Sequence, residues 1–153
     1  LSKKTSSRAG FFIFRNYIIS FLLAMIAGTF IVIPFHEILH GIAYKITGAP
    51  KIDFGADLRQ GIFYVAANNY VIGRRQFTFV ALTPFIAINL TAVILINFST
   101  PYVFIGTLFF LLFHNIMCIG DFAMLSYFQH NSDKELYTFD NHQEKRSYIF
   151  EKI

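Results

Sequence analysis

The chain has 153 residues and is 55% hydrophobic and 18% aromatic, whereas only 14% of its residues are charged. In soluble domains roughly a quarter of the residues are charged. The composition therefore excludes an ordinary soluble domain and indicates an integral membrane protein. The formal net charge of +4 suits anionic lipid headgroups rather than nucleic acid, for which no motif is present, and the single cysteine excludes an internal disulfide.

The first predicted element is a long apolar helix. A polar, basic stub at residues 1–10 precedes it, and the helix is predicted from about residue 11 to residue 47, ended by the stop signals at residues 48–50. Residues 16–35 carry no charged side chain, and about 20 such residues cross a hydrocarbon layer of roughly 30 Å. A cleavable signal peptide is the alternative, but the apolar run is too long for one.

This segment ends in an HExxH motif, whose defining residues are His36, Glu37 and His40. Two histidines four residues apart lie on one face of a helix, close enough to share one Zn²⁺, and the intervening glutamate lies beside the metal-bound water. A pair of hydrogen-bonded core histidines is the alternative, but ionisable side chains are expensive in an apolar segment. The motif predicts His36 and His40 as zinc ligands and Glu37 as the catalytic carboxylate of a metallopeptidase.

Pro34 lies just before the motif. A proline inside a helix removes one backbone donor and clashes with the carbonyl four residues back, so a kink is predicted there. Such a break would open a path for water and substrate to His36. A tolerated transmembrane proline of no consequence is the alternative.

Charges return in residues 51–76, where apolar residues come in short runs. Residues 62–65 are rich in strand formers and follow a predicted turn at residues 57–61, so we predict a β-hairpin at the membrane surface. An exposed edge of this hairpin could bind an extended substrate by β-augmentation, although an ordinary surface hairpin is the alternative. The candidate substrate strand consists of Phe63, Tyr64 and Val65.

The rest of the predicted core, residues 11–130, is helical, with helices at about residues 77–98 and 102–129, and a polar tail follows at residues 131–153. Alternation at residues 137–139 and 148–150 predicts a small strand pair on the surface of this tail. The predicted fold class is an all-α polytopic membrane protein with about three transmembrane helices, a hairpin between the first two and a short tail.

A catalytic zinc needs three protein ligands and an open position, so one more ligand is expected. The acidic residues that could return to the motif are Asp53, Asp57, Asp121 and Asp133. Asp121 alone lies inside an apolar helix, at a depth similar to that of His36 when both are measured from the same membrane face. Zinc coordination removes the cost of burying this carboxylate, so Asp121 is the predicted third ligand. A helix-packing or water-cavity aspartate is the alternative.

The order of these features resembles the core of site-2-type intramembrane metalloproteases: HEILHG, a hairpin, a second span and a third span with Gly120-Asp121. Within that group the chain is most similar, over roughly residues 17 to 130, to a family of small bacterial membrane proteins described as putative zincin peptidases. The resemblance implies a bacterial cytoplasmic membrane protein. It also implies the same site, with zinc bound by His36, His40 and Asp121 and catalysis by Glu37.

The third span departs from the site-2 pattern, which usually carries an Asn, a Pro and then Leu-Asp-Gly. Here Asn115 is followed by no proline, so Asn115 and Asn89 are alternative candidates for an oxyanion-stabilising side chain. His114 lies about two helical turns before Asp121, on nearly the same face, and is a candidate proton relay, oxyanion donor or partner of the metal site. A buried histidine bonded to a backbone carbonyl is the alternative.

These features predict a peptidase with one zinc per chain, which hydrolyses membrane-embedded or membrane-adjacent peptides with a metal-activated water. A non-catalytic membrane protein that binds zinc or holds partner helices is the alternative from a different class. A di-iron hydroxylase would need many more histidines.

The distribution of Lys and Arg predicts the orientation. Most of the 13 basic residues lie on the side of the hairpin and tail, so the positive-inside rule places that side in the cytoplasm and the N-terminus outside. Three spans make a thin wall around a polar site, so a homo-oligomer is a further expectation.

Overall fold

The computed structural model describes residues 2–57, 62–141, 144 and 146–152. Its helices are α1 (Ser2–Ala27), α2 (Ile33–Ile46), α3 (Arg74–Ile96), α4 (Pro101–Met117) and α5 (Ile119–His130). Its strands are β1 (Asp53–Asp57), β2 (Ile62–Ala66), β3 (Ile72–Gly73), β4 (Leu136–Asn141) and β5 (Arg146–Glu151). The turn predicted at residues 57–61 lies, except for Asp57, outside the described residues.

The helices account for the apolar composition. Two continuous helical stretches of the described chain, Gly10–Ile46 and Arg74–Ile96, are long and apolar enough to cross a membrane, and α4 with α5 would make a third span. The sequence predicted about three spans, and the described chain has two, or three if α4 and α5 together form one span. The term all-α is too narrow, because the chain also has two antiparallel sheets. One consists of β1 and β2, and the other consists of β3, β4 and β5.

Two predicted helices are interrupted. A π-helical segment, Gly28–Val32, separates α1 from α2 just before Pro34, where the sequence predicts an irregularity. A π turn is one way in which a helix accommodates a proline that lacks a donor. The predicted helix at 102–129 is broken at Cys118, whose ψ of −1° departs from the helical value of about −42°. Gly120, a poor helix former, lies two residues further on.

The chain divides into two compact units, Leu1–Val32 with Asn89–Met117 and Ile33–Ile88 with Cys118–Ile153. We call the first the helical unit and the second the site unit. In the helical unit, α1 packs on α4 through edge-to-face contact of Phe21 with Phe109, whose ring centroids are 4.9 Å apart. A Cβ on Gly106 would lie 3.6 Å from Ser20, an ordinary van der Waals contact.

The core of the site unit joins α2, α3, α5 and β4. Phe77 of α3 stacks on Phe128 of α5 with a centroid distance of 4.8 Å, and Leu136 of β4 is buried against the same cluster. The predicted strand pair of the tail is present as β4 and β5, in which Tyr137 pairs with Phe150. It is not only a surface pair, because Leu136 and Thr138 are buried.

Arg74 fixes the segment that leads into β4. Its Nη2 donates to the carbonyl of Asn131 at 2.8 Å and to that of Lys134 at 2.9 Å, and its Nη1 donates to Ser132 at 3.1 Å. These bonds satisfy carbonyls at the end of α5 and beyond it. They tie the start of α3 to the segment from which β4 enters the core.

Candidate metal centre

The motif residues lie on the face of α2 that packs into the site unit. His36 and His40 are 5% and 8% exposed, and Ala43 and Tyr44 continue the same face into the core. Positions four residues apart lie one above the other on a helix, so the core packing that buries Ala43 and Tyr44 also directs both imidazoles inward. The apolar face of α2 therefore places the histidines.

Asp121 lies in the first turn of α5. Its helix is held by Leu125 and Phe128, four and seven residues later, which are buried in the core, and Phe122 packs edge to face on Phe85. Because Asp121 shares the inward face with Leu125 and Phe128, its carboxylate points to α2. The structure brings Asp121 to the motif, and its role as the third zinc ligand stays a prediction.

The three side chains meet at one point. Nε2 of His36 is 3.2 Å from Oδ2 of Asp121, Nε2 of His40 is 3.3 Å from Oδ1, and the two Nε2 atoms are 3.0 Å apart. Ligands about 2.0–2.1 Å from a tetrahedral zinc ion are separated by roughly 3.3 Å. The donor set, two imidazoles and a carboxylate, and its spacing therefore fit a zinc ion.

The other nitrogen of His40 is held by the backbone of α3. Nδ1 of His40 lies 3.0 Å from the carbonyl oxygen of Val80. This oxygen is available because Pro84, four residues later, has no amide hydrogen to donate to it. A hydrogen bond from Nδ1–H to this oxygen fixes the tautomer that leaves the Nε2 lone pair free for a metal.

Glu37 is held by the hairpin. Its Oε2 accepts the amide hydrogen of Val65 at 2.9 Å, and the described residues give its Oε1 no hydrogen bond. Val65 faces Phe54 in the ladder, and its amide points away from β1. By the alternation of an antiparallel pair, the amide and carbonyl of Phe63 also point to this free edge of β2. The catalytic candidate thus lies at the edge of a strand.

Glycine in the motif lets the hairpin approach α2. A Cβ on Gly41 would lie 2.8 Å from Cζ of Phe54 and 3.3 Å from Cγ2 of Val65. These distances leave no room for a side chain without movement of the neighbours. Gly41 therefore permits the contact through which Val65 reaches Glu37.

Glu37 lines two cavities of the site unit. One, of about 550 Å³, is an apolar groove between α2 and the hairpin, with Ile38, Phe54, Phe63 and Tyr64 in its lining. The other, of about 340 Å³, contains the remaining polar groups of the site: His40, Tyr44, Asp121, Thr138, Asp140 and Ser147. The carboxylate is therefore accessible from a groove with the dimensions of a ligand pocket.

The other candidates from the sequence belong to the helical unit. His114 is fully buried in α4, and the Asn89 amide donates to Oδ1 of Asn115 at 2.8 Å. The two asparagine amides thus bind each other within their own unit. Their predicted roles in oxyanion stabilisation, and that of His114, stay predictions.

Several functional groups were not predicted from the sequence. The carbonyl of Val80 could have been found from its spacing of four residues before Pro84. The alternation of Leu136, Thr138 and Asp140 on one face of β4 could have shown that the tail has a buried side. No sequence signal points to the amide of Val65, because a backbone donor is available at almost every residue.

Comparison with known proteins gave one match. Residues 29–134, more than half of the chain, match the model of a family described as "putative zincin peptidase". No curated protein and no solved structure matched the chain. The match supports the putative zincin peptidase family that the sequence motifs resemble. The wider likeness to site-2-type proteases stays a prediction.

Proposed function

This chain belongs to the family described as putative zincin peptidases, and on that premise we propose that it is a zinc metalloendopeptidase. Its substrates are proposed to be membrane-embedded or membrane-adjacent peptides. The observation that carries the proposal is the convergence of His36, His40 and Asp121 within 3.0–3.3 Å, with Glu37 on the same helix. This is the set of groups that metal-assisted peptide hydrolysis needs.

His36, His40 and Asp121 would hold one zinc ion per chain. When bound, zinc supplies Lewis-acid chemistry, which makes water a stronger acid and polarises a peptide carbonyl. The bond from Nδ1 of His40 to the Val80 carbonyl orients the imidazole, with Nε2 towards the other ligands. The burial of both histidines excludes most water from the ligand atoms.

Glu37 is the proposed general base and acid. Its carboxylate takes the proton from the attacking water and passes it to the leaving amine of the cleaved bond. The amide of Val65 holds Oε2, so the other oxygen, Oε1, is the atom proposed to carry the proton. The strand thereby orients the base without blocking it.

The edge of β2 is the proposed binding strand for the substrate. The amide and carbonyl of Phe63 point away from β1, whereas the amide of Val65 already binds Glu37. Phe63 and Tyr64 line the apolar groove that reaches Glu37. An extended peptide on this edge would lie beside the base, with side chains in the groove. A helical substrate must unwind first, because its carbonyls are engaged in its own hydrogen bonds.

The location is proposed from the apolar helices and the basic residues. Two or three helices are long and apolar enough to span a membrane. The positive-inside rule places the hairpin and the tail in the cytoplasm.

Glu37→Gln tests the proposed function, with Glu151→Gln, an exposed position on β5, as the matched control. Glutamine keeps the shape of the side chain and cannot take up a proton. We expect Glu37→Gln to bind zinc as the wild type does and to lose about 10²–10⁴-fold in cleavage of fluorescein-labelled casein and of a single-span reporter. Metal content is measured by mass spectrometry on the same samples.

Each outcome has a separate meaning. Cleavage by Glu37→Gln at the wild-type rate would contradict the mechanism. Zinc binding without cleavage by the wild type would support a non-catalytic zinc-binding protein instead. Loss of cleavage in Glu151→Gln as well would show that the effect is not specific to the motif.

A further inference from the structure

The cavity lined by the proposed ligands His40 and Asp121 also contains polar side chains that the proposed hydrolysis does not use. Thr138 and Asp140 of β4 line it together with His40, Asp121 and Glu37. Its volume of about 340 Å³ lies at the lower end of the roughly 300–1,000 Å³ of small-ligand pockets. Both β4 residues follow the last residue of the family match, residue 134.

Asp140 is fixed in this cavity by neutral donors. The hydroxyl of Tyr44 donates to its Oδ2 at 3.1 Å, and that of Ser147 donates to its Oδ1 at 2.6 Å. Within the described ranges, no Lys, Arg or His forms an ion pair with Asp140. The half-buried carboxylate is therefore held in place by neutral groups, and no cation among the described residues balances its charge.

Thr138 provides an independent observation. It is 2% exposed, and its Oγ1 has no hydrogen-bond partner among the residues that the structure describes. Residues two apart lie on the same face of a strand, so Thr138 and Asp140 face the same cavity. A buried hydroxyl without a partner costs free energy, and a polar group of a ligand would remove that cost.

The charges of the cavity favour a cation. In the zinc-bound enzyme the two positive charges of the metal are balanced by Asp121 and Glu37, and the histidines are neutral. Among the described residues that line the cavity, Asp140 then adds one negative charge that no other group balances. Tyr44, whose hydroxyl binds Asp140, lies one helical turn, about 6 Å, after His40 on α2. This negative charge is therefore adjacent to the metal ligands.

We propose that Asp140 and Thr138 form a subsite that binds a positively charged ammonium group of the peptide substrate. The inference rests on the proposed peptidase function and adds a substrate class to it. The ammonium group belongs either to a lysine side chain near the cleaved bond or to a free amino terminus. Charge-assisted hydrogen bonds to a carboxylate are strong enough to select such a group.

Binding to the Glu37→Gln protein tests the subsite without requiring cleavage. The probes are peptides with a fluorescein label at the C-terminus, in which one position at a time is lysine or its uncharged analogue norleucine. Each pair is measured with a free and with an acetylated amino terminus, by fluorescence anisotropy. We expect one ammonium group to tighten binding about tenfold. Tighter binding of the free than of the acetylated peptide assigns the ammonium group to the amino terminus. Tighter binding of the lysine than of the norleucine peptide, when both are acetylated, assigns it to lysine.

Three further substitutions in the same background identify the residue responsible. Asp140→Asn should abolish the tenfold gain, and Asp140→Glu should retain most of it because the charge remains. Asp133→Asn, at an exposed position before β4, is the matched control and should retain all of it. A purely structural role of Asp140 would not separate charged from uncharged peptides.

The outcomes separate the subsite from the proposed function. If no ammonium group tightens binding, or if the gain persists in Asp140→Asn, the subsite is wrong. Wild-type cleavage with no charge preference would overturn the subsite and leave the peptidase standing. A charge preference that depends on Asp140 in a chain that cleaves nothing would support the subsite and contradict the peptidase.

Discussion

The helical unit and the site unit both expose large apolar side chains, but they differ in how many polar side chains they bury. In the helical unit, large apolar side chains point outward, as with Phe30 at 72% and Phe98 at 86% exposure. Of the four polar side chains buried in the described chain, three belong to the site unit: His36, His40 and Thr138. A surface of this kind suits lipid, whereas enclosed polar groups suit chemistry. The comparison locates most of the buried polar side chains in the site unit, whereas the candidate membrane spans include residues of both units.

The largest expected effect is on the metal ligands of the site unit. Asp121→Ala removes both oxygens that approach the histidines, so zinc affinity should fall by more than the roughly 100-fold that loss of an outer hydrogen-bond partner costs. Asp133→Ala, at an exposed position, is the control. Metal content by mass spectrometry checks the result, and an unchanged zinc content in Asp121→Ala would refute the three-ligand site.

A charge on the helical unit should affect insertion. Leu22 is about half exposed within the apolar part of α1, and Leu22→Arg should disfavour membrane insertion by about 2.5–3.5 kcal/mol if that position lies near the bilayer centre. Leu22→Phe should insert normally. Alkaline extraction of membranes measures the integrated fraction. Equal integration of both variants would contradict a position of Leu22 inside the membrane.

A smaller effect is expected from a proline of the site unit. Pro84→Ala restores an amide hydrogen that competes with His40 for the Val80 carbonyl, so zinc affinity should fall about tenfold. Pro101 begins α4, where a missing amide hydrogen costs nothing, so Pro101→Ala is the matched control. Chelator competition gives both affinities. Equal zinc binding by the two variants would show that the Val80 bond does not position the ligand.

The smallest effect compares two glycines. Gly106→Ala meets Ser20 at an ordinary 3.6 Å and should stabilise its helix by up to about 1 kcal/mol. A Cβ in Gly41→Ala would lie 2.8 Å from the ring of Phe54. This clash should cancel the expected helix stabilisation and loosen the packing of the hairpin on α2. Thermal unfolding in detergent measures both. A gain at Gly41 equal to that at Gly106 would mean that the hairpin does not pack closely on α2.

Sequence and structure agree best where the signal is local. The spacing of His36 and His40 fixes their common face, and Asp121 stands out because an acid is rare in an apolar helix. Groups that arrive from distant segments were not predicted, since the amide of Val65 and the carboxylate of Asp140 depend on how strands pack on α2. The break at Cys118 was also missed, because the apolar pattern continues across it.

The position of β4 has a consequence for how such a protein can diversify. The groups proposed for hydrolysis lie within residues 29–134, which match the family, whereas Thr138 and Asp140 lie after that range. With the proposed subsite on β4, a change in the last strands is expected to alter which peptides are accepted and to leave the proposed bond-breaking groups intact. Exchange of residues 136–151 between members of the family is therefore a direct way to transfer selectivity from one to another.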